Sequence, residues 1–238
     1  MSVLVITGTD TEVGKTAVTA ALAAVASADG RRVAVLKPAQ TGLLPGEPGD
    51  VDEVVRLAGR VTTRELRRYP DPLAPATAAR RAGMPTLHPA DVAAAAVELG
   101  ESHDLVLIEG AGGLLVRFDE KGSTIADVAW ALNAPVLVVA AAGLGTLNAT
   151  ALTTEALTRR GLESLGVIVG RWPAAPDLAA RTNLADLPEA AGGPLLGVLP
   201  NGVTRLPPHD FLDVARGAIS PWFGGTFDPD SFASHYVR

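Results

Sequence analysis

Residues 8–16 read Gly8-Thr9-Asp10-Thr11-Glu12-Val13-Gly14-Lys15-Thr16, and their setting decides the fold. An apolar run, Val3-Leu4-Val5-Ile6, precedes them, and an alanine-rich segment of strong helix propensity follows at 17–28. Strand, glycine-flanked turn and helix in that order make a phosphate-binding loop. A helix that starts near Lys15 turns free backbone N–H groups and the positive end of its dipole toward an anion. Gly14 has no Cβ to hold phosphate oxygens away. Lys15 can set an ammonium on the β- and γ-phosphates, and the Thr16 hydroxyl can take a place on Mg²⁺. The common spacing, G-x-x-x-x-G-K-[ST], would need glycine at position 9, where Thr9 stands, and Gly8 lies one residue too far back. A glycine turn before an ordinary surface helix is the plainer alternative. The strand before it and the helix after it argue against that.

A chain of 238 residues suits one large α/β domain, and its apolar share of 47% supplies a sizeable core. With two Met and few aromatics, Ala, Val and Leu must fill most of that core. The formal charge of −6, with no basic run to offset it, argues against nucleic acid as a partner. The absence of cysteine removes disulfides, thiolate metal sites and cysteine nucleophiles. The first residues run into an apolar strand without a charged leader, and the longest apolar run, 134–142, is strand-sized. The expectation is a cytoplasmic chain with no membrane partner.

A second buried strand is predicted at 33–36, ending in Lys37-Pro38-Ala39-Gln40-Thr41-Gly42. A lysine closing an all-apolar strand needs a partner, because burying an unpaired ammonium is costly. The alternative is a lysine that snorkels to the surface. Residues 43–49, rich in Pro and Gly, form a loop, and a helix opens at Asp50 and runs to 58, with Asp50 as a plausible N-cap. Residues 69–75 read as a second proline-controlled loop, with helices at 77–82 and 89–99. Asp104-Leu105-Val106-Leu107-Ile108-Glu109 is a third strand ending in an acid, followed by Gly110-Ala111-Gly112-Gly113. A carboxylate there meets Mg²⁺ directly or through water. A fourth strand at 135–140 leads into Gly143-Leu144-Gly145-Thr146-Leu147-Asn148 and a helix at 149–159; a fifth strand covers 166–170 and a sixth 195–199, before Pro200-Asn201-Gly202. Residues 173–194 carry only a weak helical patch. The tail holds four of the five phenylalanines, Trp222 and Tyr236, read as a helix at 210–219 and an aromatic clip, about 203–238, packed on the body. The four histidines lack metal-ligand spacing.

Strands alternating with helices predict a single-domain α/β fold of the P-loop nucleoside-triphosphatase kind, a mostly parallel sheet with helices on both faces. Lys15, Thr16, Lys37 and Glu109 then gather at the carboxyl ends of strands, where such sheets bind ligands. Two lysines, a hydroxyl and flanking acids suit phosphoryl transfer, in which catalysis is mainly positioning and charge neutralisation.

The phosphate loop, Lys37-Pro38-Ala39-Gln40-Thr41-Gly42, Glu109-Gly110-Ala111-Gly112-Gly113 and Leu144-Gly145-Thr146-Leu147-Asn148 together resemble the dethiobiotin synthetase family, over roughly the whole chain up to Pro200. The extra residue before Gly14 is typical of that family. The resemblance implies an ATP-dependent cyclo-ligase of biotin biosynthesis, in which 7,8-diaminononanoate and CO₂ (or bicarbonate) form a carbamate, ATP phosphorylates it, and ring closure gives dethiobiotin, ADP and phosphate. It implies Lys15 and Lys37 as catalytic cations and Thr16, Asp50 and Glu109 as Mg²⁺ ligands, with Asp52 the alternative to Asp50. Glu12, Val13, Gly14, Lys15, Thr16 and Ala17 would wrap the phosphates. Gly110, Ala111, Gly112, Gly170, Arg171, Pro200, Asn201 and Gly202 would complete the nucleotide's surroundings. Thr11, Lys37 and Thr41 would meet substrate and carbamate, and Gly112 and Gly113 would line the diamine. Leu144, Gly145, Thr146, Leu147 and Asn148 would reach the partner subunit's site, which implies a homodimer with the active site at its interface.

Two departures stand out. Ala149 replaces a common histidine, and Gly170-Arg171 stands where the family often has an asparagine that reads adenine. Relaxed base selection is the consequence expected. Three rival readings share the loop. A partitioning or division-site ATPase usually carries an extra lysine early in it, where Asp10 and Thr11 stand, and often ends in a basic amphipathic helix, which this aromatic, acidic tail is not. A cobyrinate-type amidotransferase would need a cysteine nucleophile. A plain nucleotide kinase is the remaining enzyme alternative.

Overall fold

β1 (Ser2–Gly8) runs through the middle of a seven-stranded sheet whose pairings are all parallel, in the computed structural model that describes residues 2–236. The other strands are β2 (Val33–Thr41), β3 (Thr62–Tyr69), β4 (Leu105–Gly113), β5 (Val136–Ala140), β6 (Ser164–Trp172) and β7 (Leu195–Pro200), in the order β3-β2-β4-β1-β5-β6-β7. Successive side chains of a strand point to opposite faces. Leu4 and Ile6 of β1 and Leu105 and Leu107 of β4 therefore join one core with α1 (Lys15–Ala28), α2 (Asp50–Ala58) and α8 (Pro208–Ala218). Val5, Val106 and Ile108 face a second core with α3 (Pro75–Ala82), α4 (Pro89–Gly100) and α5 (Ile125–Leu132). A third cluster packs α7 (Leu178–Ala191) and Phe227 on β6 and β7; α6 (Thr146–Arg159) and α9 (Pro229–Ser234) complete the helices. Both sheet faces are covered, which is why the central strands read as unbroken apolar runs rather than as alternating ones.

The sequence reading of six strands misses β3. Its residues, Thr-Thr-Arg-Glu-Leu-Arg-Arg-Tyr, form the sheet edge, where charged side chains guard against pairing with other chains. Arg64 reaches Glu98 at 2.7 Å and Arg68 reaches Glu65 at 2.8 Å. β2 also runs to Thr41, so Lys37 lies inside a strand rather than at its end.

Helix α5 went unread, although Thr124 and Asp127 form a capping box: Thr124 Oγ1 accepts from Ala126 N at 3.2 Å, and Asp127 Oδ2 accepts from Thr124 N at 2.7 Å. The weak patch at 173–194 is a full helix, α7, capped by Asp177, whose Oδ1 accepts from Ala180 N at 2.8 Å. Pro188 inside it is what made the sequence look broken. In the tail, Phe232 and Tyr236 pack edge-on against Trp172, with ring centroids 5.4 and 5.1 Å away, whereas Trp222 stands exposed.

Candidate active site

β4 lies between β1 and β2, so the loop after β1, the middle of β2 and the end of β4 open onto one cleft of about 980 Å³. Gly14, at φ 100°, ends the loop and α1 begins at Lys15. Glu12 also takes a left-handed φ, 57°, the kind of backbone turn that lets successive N–H groups converge on an anion. The anomalous spacing has a local cause. Lys15 Nζ donates to the Asp10 carbonyl oxygen at 2.9 Å, folding the loop back over Gly8. A Cβ on Gly8 would sit 2.7 Å from that oxygen and 3.0 Å from Lys15 Nζ. Glycine is needed at position 8, and Thr9 is spared.

Lys37 is 3% exposed, and its ammonium lies 2.5 Å from Asp50 Oδ2 and 2.8 Å from Glu109 Oε1, and donates to the Gly110 carbonyl oxygen at 3.3 Å. The snorkelling alternative is thereby ruled out. Thr16 Oγ1 donates to the same Glu109 Oε1 at 2.9 Å, joining phosphate loop, β2 and β4 through one carboxylate. Burial alone would depress the Lys37 pKa, but Glu109 and Asp50 beside it hold it above the ordinary lysine value. Asp50 moves the opposite way: burial would raise it, and Lys37 holds it below the usual carboxylate range.

Asp50 and Asp52 separate cleanly. Asp50 is not the cap; Asp52 Oδ2 accepts from Gly49 N at 2.7 Å and takes that part, while Asp50 N donates to Gln40 Oε1 at 3.0 Å and its carboxylate turns into the cleft. Among the described residues no group of three or more His, Asp or Glu stands ready for a metal. Mg²⁺ asks for less, since one or two carboxylates plus substrate phosphates suffice. Glu109 Oε2 is buried without a hydrogen-bond partner, while Thr16 donates to the other oxygen of that carboxylate and Lys37 joins it to Asp50. A hard-oxygen set with an orphaned carboxylate oxygen fits that ion.

Of the residues singled out in the sequence, Thr11, Glu12, Gly14, Lys15, Thr16, Ala17, Lys37, Thr41, Asp50, Glu109, Ala111, Gly112, Gly170, Arg171, Pro200, Asn201 and Gly202 line the cleft. The Val13 side chain lies in the core, so only its main chain faces the loop. Gly110 and Gly113 do not line it, nor do residues 144–148, which sit in and before the first turn of α6. There Leu144 is 93% exposed, while Thr146 is buried and its hydroxyl donates to the Ala141 carbonyl oxygen at 2.7 Å. Glu53, Leu73, Val116 and Arg205 also line the cleft and carried no motif that would have flagged them.

Burial, then the nearby Lys37 charge, lowers the Lys15 pKa to about 8. Between that value and the ordinary lysine value the unfolded chain holds the extra proton, so stability rises with pH across this window. The expected gain is up to about 3 kcal/mol between pH 8 and 10.5. Denaturant unfolding of the chain and of Lys15→Met at both ends of that window checks it: the rise should be smaller in the variant by that amount, and equal rises would refute it.

A family model described as "AAA domain" matches residues 2–204. The chain is 64% identical over 237 residues to the "ATP-dependent dethiobiotin synthetase BioD" of Streptomyces avermitilis, with 100% of both chains covered. It is 68% identical over 225 residues to the protein of that name from Saccharopolyspora erythraea, covering 94% of this chain and 98% of that one. Among solved structures, the MinC:MinD cell division protein complex of Aquifex aeolicus superposes with a TM-score of 0.57 at 15% identity, covering 96% of this chain and 98% of that one. That likeness carries the fold alone, the α/β P-loop architecture expected from the strand-and-helix alternation.

Proposed function

We propose that this chain, which belongs to the dethiobiotin synthetase family, closes the ureido ring of dethiobiotin from 7,8-diaminononanoate and CO₂ through a carbamate and a carbamic-phosphoric anhydride. Membership makes it an ATP-dependent ligase of biotin biosynthesis. The observation that carries the finer reading is the shared carboxylate: Thr16 of the phosphate loop and Lys37 of β2 both donate to Glu109 Oε1. A partitioning-type switch brings its second lysine from within the loop, whereas here it comes from β2.

In this reading one amine adds to CO₂ and loses a proton, giving the carbamate. A carbamate oxygen attacks the γ-phosphorus and ADP leaves. The second amine then attacks the carbonyl carbon, and phosphate departs with the bridging oxygen and the proton that this amine gives up. Carbamate and triphosphate are both anionic, so their approach needs cations between them, which Lys15 and Lys37 provide. Backbone N–H groups from Glu12 to Ala17 and the α1 dipole hold the phosphates. Thr16, Asp50 and Glu109 would hold Mg²⁺, which when bound neutralises charge on the β- and γ-phosphate oxygens. Thr11 and Thr41 line the cleft, and in this reading their hydroxyls hydrogen-bond the carbamate. The exposed Leu144 loop supports a homodimer in which residues 144–148 complete the neighbour's diamine site. The cytoplasm is the compartment this reading assigns.

Phosphate release from ATP, measured with neither, one or both of the diamine and bicarbonate, tests this. Release only with both supports ring closure; release without the diamine would favour a kinase or a switch. Base selection should be loose, because Gly170 offers no amide. A site that hydrogen-bonds one group rejects its analogue by about 10⁴-fold or more, so without that reader initial rates with ATP, CTP and GTP should agree within about tenfold. A preference for ATP of that larger size would contradict it.

A further inference from the structure

The pairing of β6 with β7 slips register between Val169 and Trp172, just past the end of β5 at Ala140. Such a slip lifts the backbone out of the ladder, and at Gly170 it meets the phosphate loop. A Cβ on Gly170 would lie 2.3 Å from the Val13 carbonyl oxygen, 2.7 Å from Val139 Cγ1 and 3.1 Å from Gly14 Cα. From the opposite side, a Cβ on Gly14 would lie 2.5 Å from the Gly170 carbonyl oxygen. Gly14 is glycine for its φ as well. Gly170 is outside the left-handed region, so closeness alone demands its bare backbone.

We infer that Gly170 is a positioning residue for the phosphate loop: its bare backbone seats Val13 and Gly14 against β6 and so sets where Lys15 and Thr16 meet the triphosphate, whatever base it carries. The inference rests on the reading that this loop binds a nucleoside triphosphate. The nearest of the three atoms in the way, the Val13 carbonyl oxygen, and Gly14 Cα are main-chain atoms of the loop; the third, Val139 Cγ1, belongs to a side chain of β5. Gly170 itself lies in the slip, but it is bracketed by Val169, paired to both β5 and β7, and by Trp172, paired to β7, whereas the loop is a connecting segment, so the loop is the part that yields to a side chain. A displacement near 1 Å costs about 10²-fold where geometry governs the rate. A side chain at 170 therefore reaches the base only after moving the loop that holds the phosphates.

Tripolyphosphate with Mg²⁺, which carries no base, is the probe. Gly170→Ala should weaken tripolyphosphate, ATP and CTP by one common factor, on the order of tenfold or more, and lower kcat with each nucleotide alike. Their kcat/KM ratios should stay within about twofold of the starting chain's. Gly170→Asn should behave as the alanine variant does. Adding Val139→Ala to Gly170→Ala should not restore tripolyphosphate binding, because the Val13 carbonyl still stands in the way. Unchanged tripolyphosphate affinity, a shift in the nucleotide ratios, a gain in ATP preference by Gly170→Asn, rescue by Val139→Ala, or a Gly170→Ala chain that does not fold would each overturn the inference. If ring closure failed while the loop still bound triphosphate, the tripolyphosphate result would stand by itself and separate the two failures.

Discussion

Replacing Lys37 with methionine is expected to cut turnover by about 10²–10³-fold, the usual effect of removing one preorganised charge from developing negative charge. The same change should cost about 3–5 kcal/mol of stability, because it strands a buried carboxylate. Glu109 is 1% exposed and Lys37 3%, so solvent cannot stand in for the lost partner. The two effects come apart in a double variant. With Glu109→Gln added, the fully buried charge is gone, Asp50 keeps water at a side chain that is 35% exposed, and Thr16 can still donate to the amide oxygen. Urea unfolding should then return to within about 1 kcal/mol of the unmodified chain. Turnover should stay at the level of Lys37→Met or below. Recovery of both together would mean that Lys37 serves only to neutralise Glu109.

A comparable contrast is expected two residues apart on α2. Asp50→Asn should lower kcat by about 10²-fold and raise the Mg²⁺ concentration needed for half-maximal rate, because a hard carboxylate is lost from the Thr16–Glu109 set. Asp52→Asn should leave kcat within about twofold and cost about 0.5–1 kcal/mol, the worth of a helix cap. The geometry separates them: the Asp50 carboxylate is 2.5 Å from Lys37 Nζ, whereas Asp52 is occupied with Gly49 N. Mg²⁺ titration of steady-state rates with both variants, beside their unfolding curves, checks the pair. Equal kinetic effects at the two positions would refute the assignment.

These two acids show where the sequence was legible and where it was not. Gly14, Lys15 and Thr16 could be read because strand, loop and helix are contiguous, and local chemistry determines the motif. Glu109 could be read because an acid after four apolar residues is costly unless it has work to do. Asp50 and Asp52 could not be told apart, since both lie in the first turn of one helix and only packing against Lys37 and Gln40 distinguishes them. β3 was hidden because an edge strand is patterned by what it must repel, and its buried residue, Tyr69, carries little periodic signal. Gly8 departs from the common spacing for a reason the sequence hides, the fold of Lys15 back to Asp10. Gly170 looked like a missing base reader, and its contact with Gly14 depends on strands far apart in sequence.

Oxygen-18 bicarbonate supplied with unlabelled ATP and the diamine tests the central claim most directly, which is that Lys15 and Lys37 bring a carbamate oxygen onto the γ-phosphorus. If they do, the phosphate released in the first turnovers, before the label exchanges with water, carries one heavy oxygen taken from the carbamate. Phosphate whose oxygens come only from ATP and water, formed while dethiobiotin accumulates, would contradict the account.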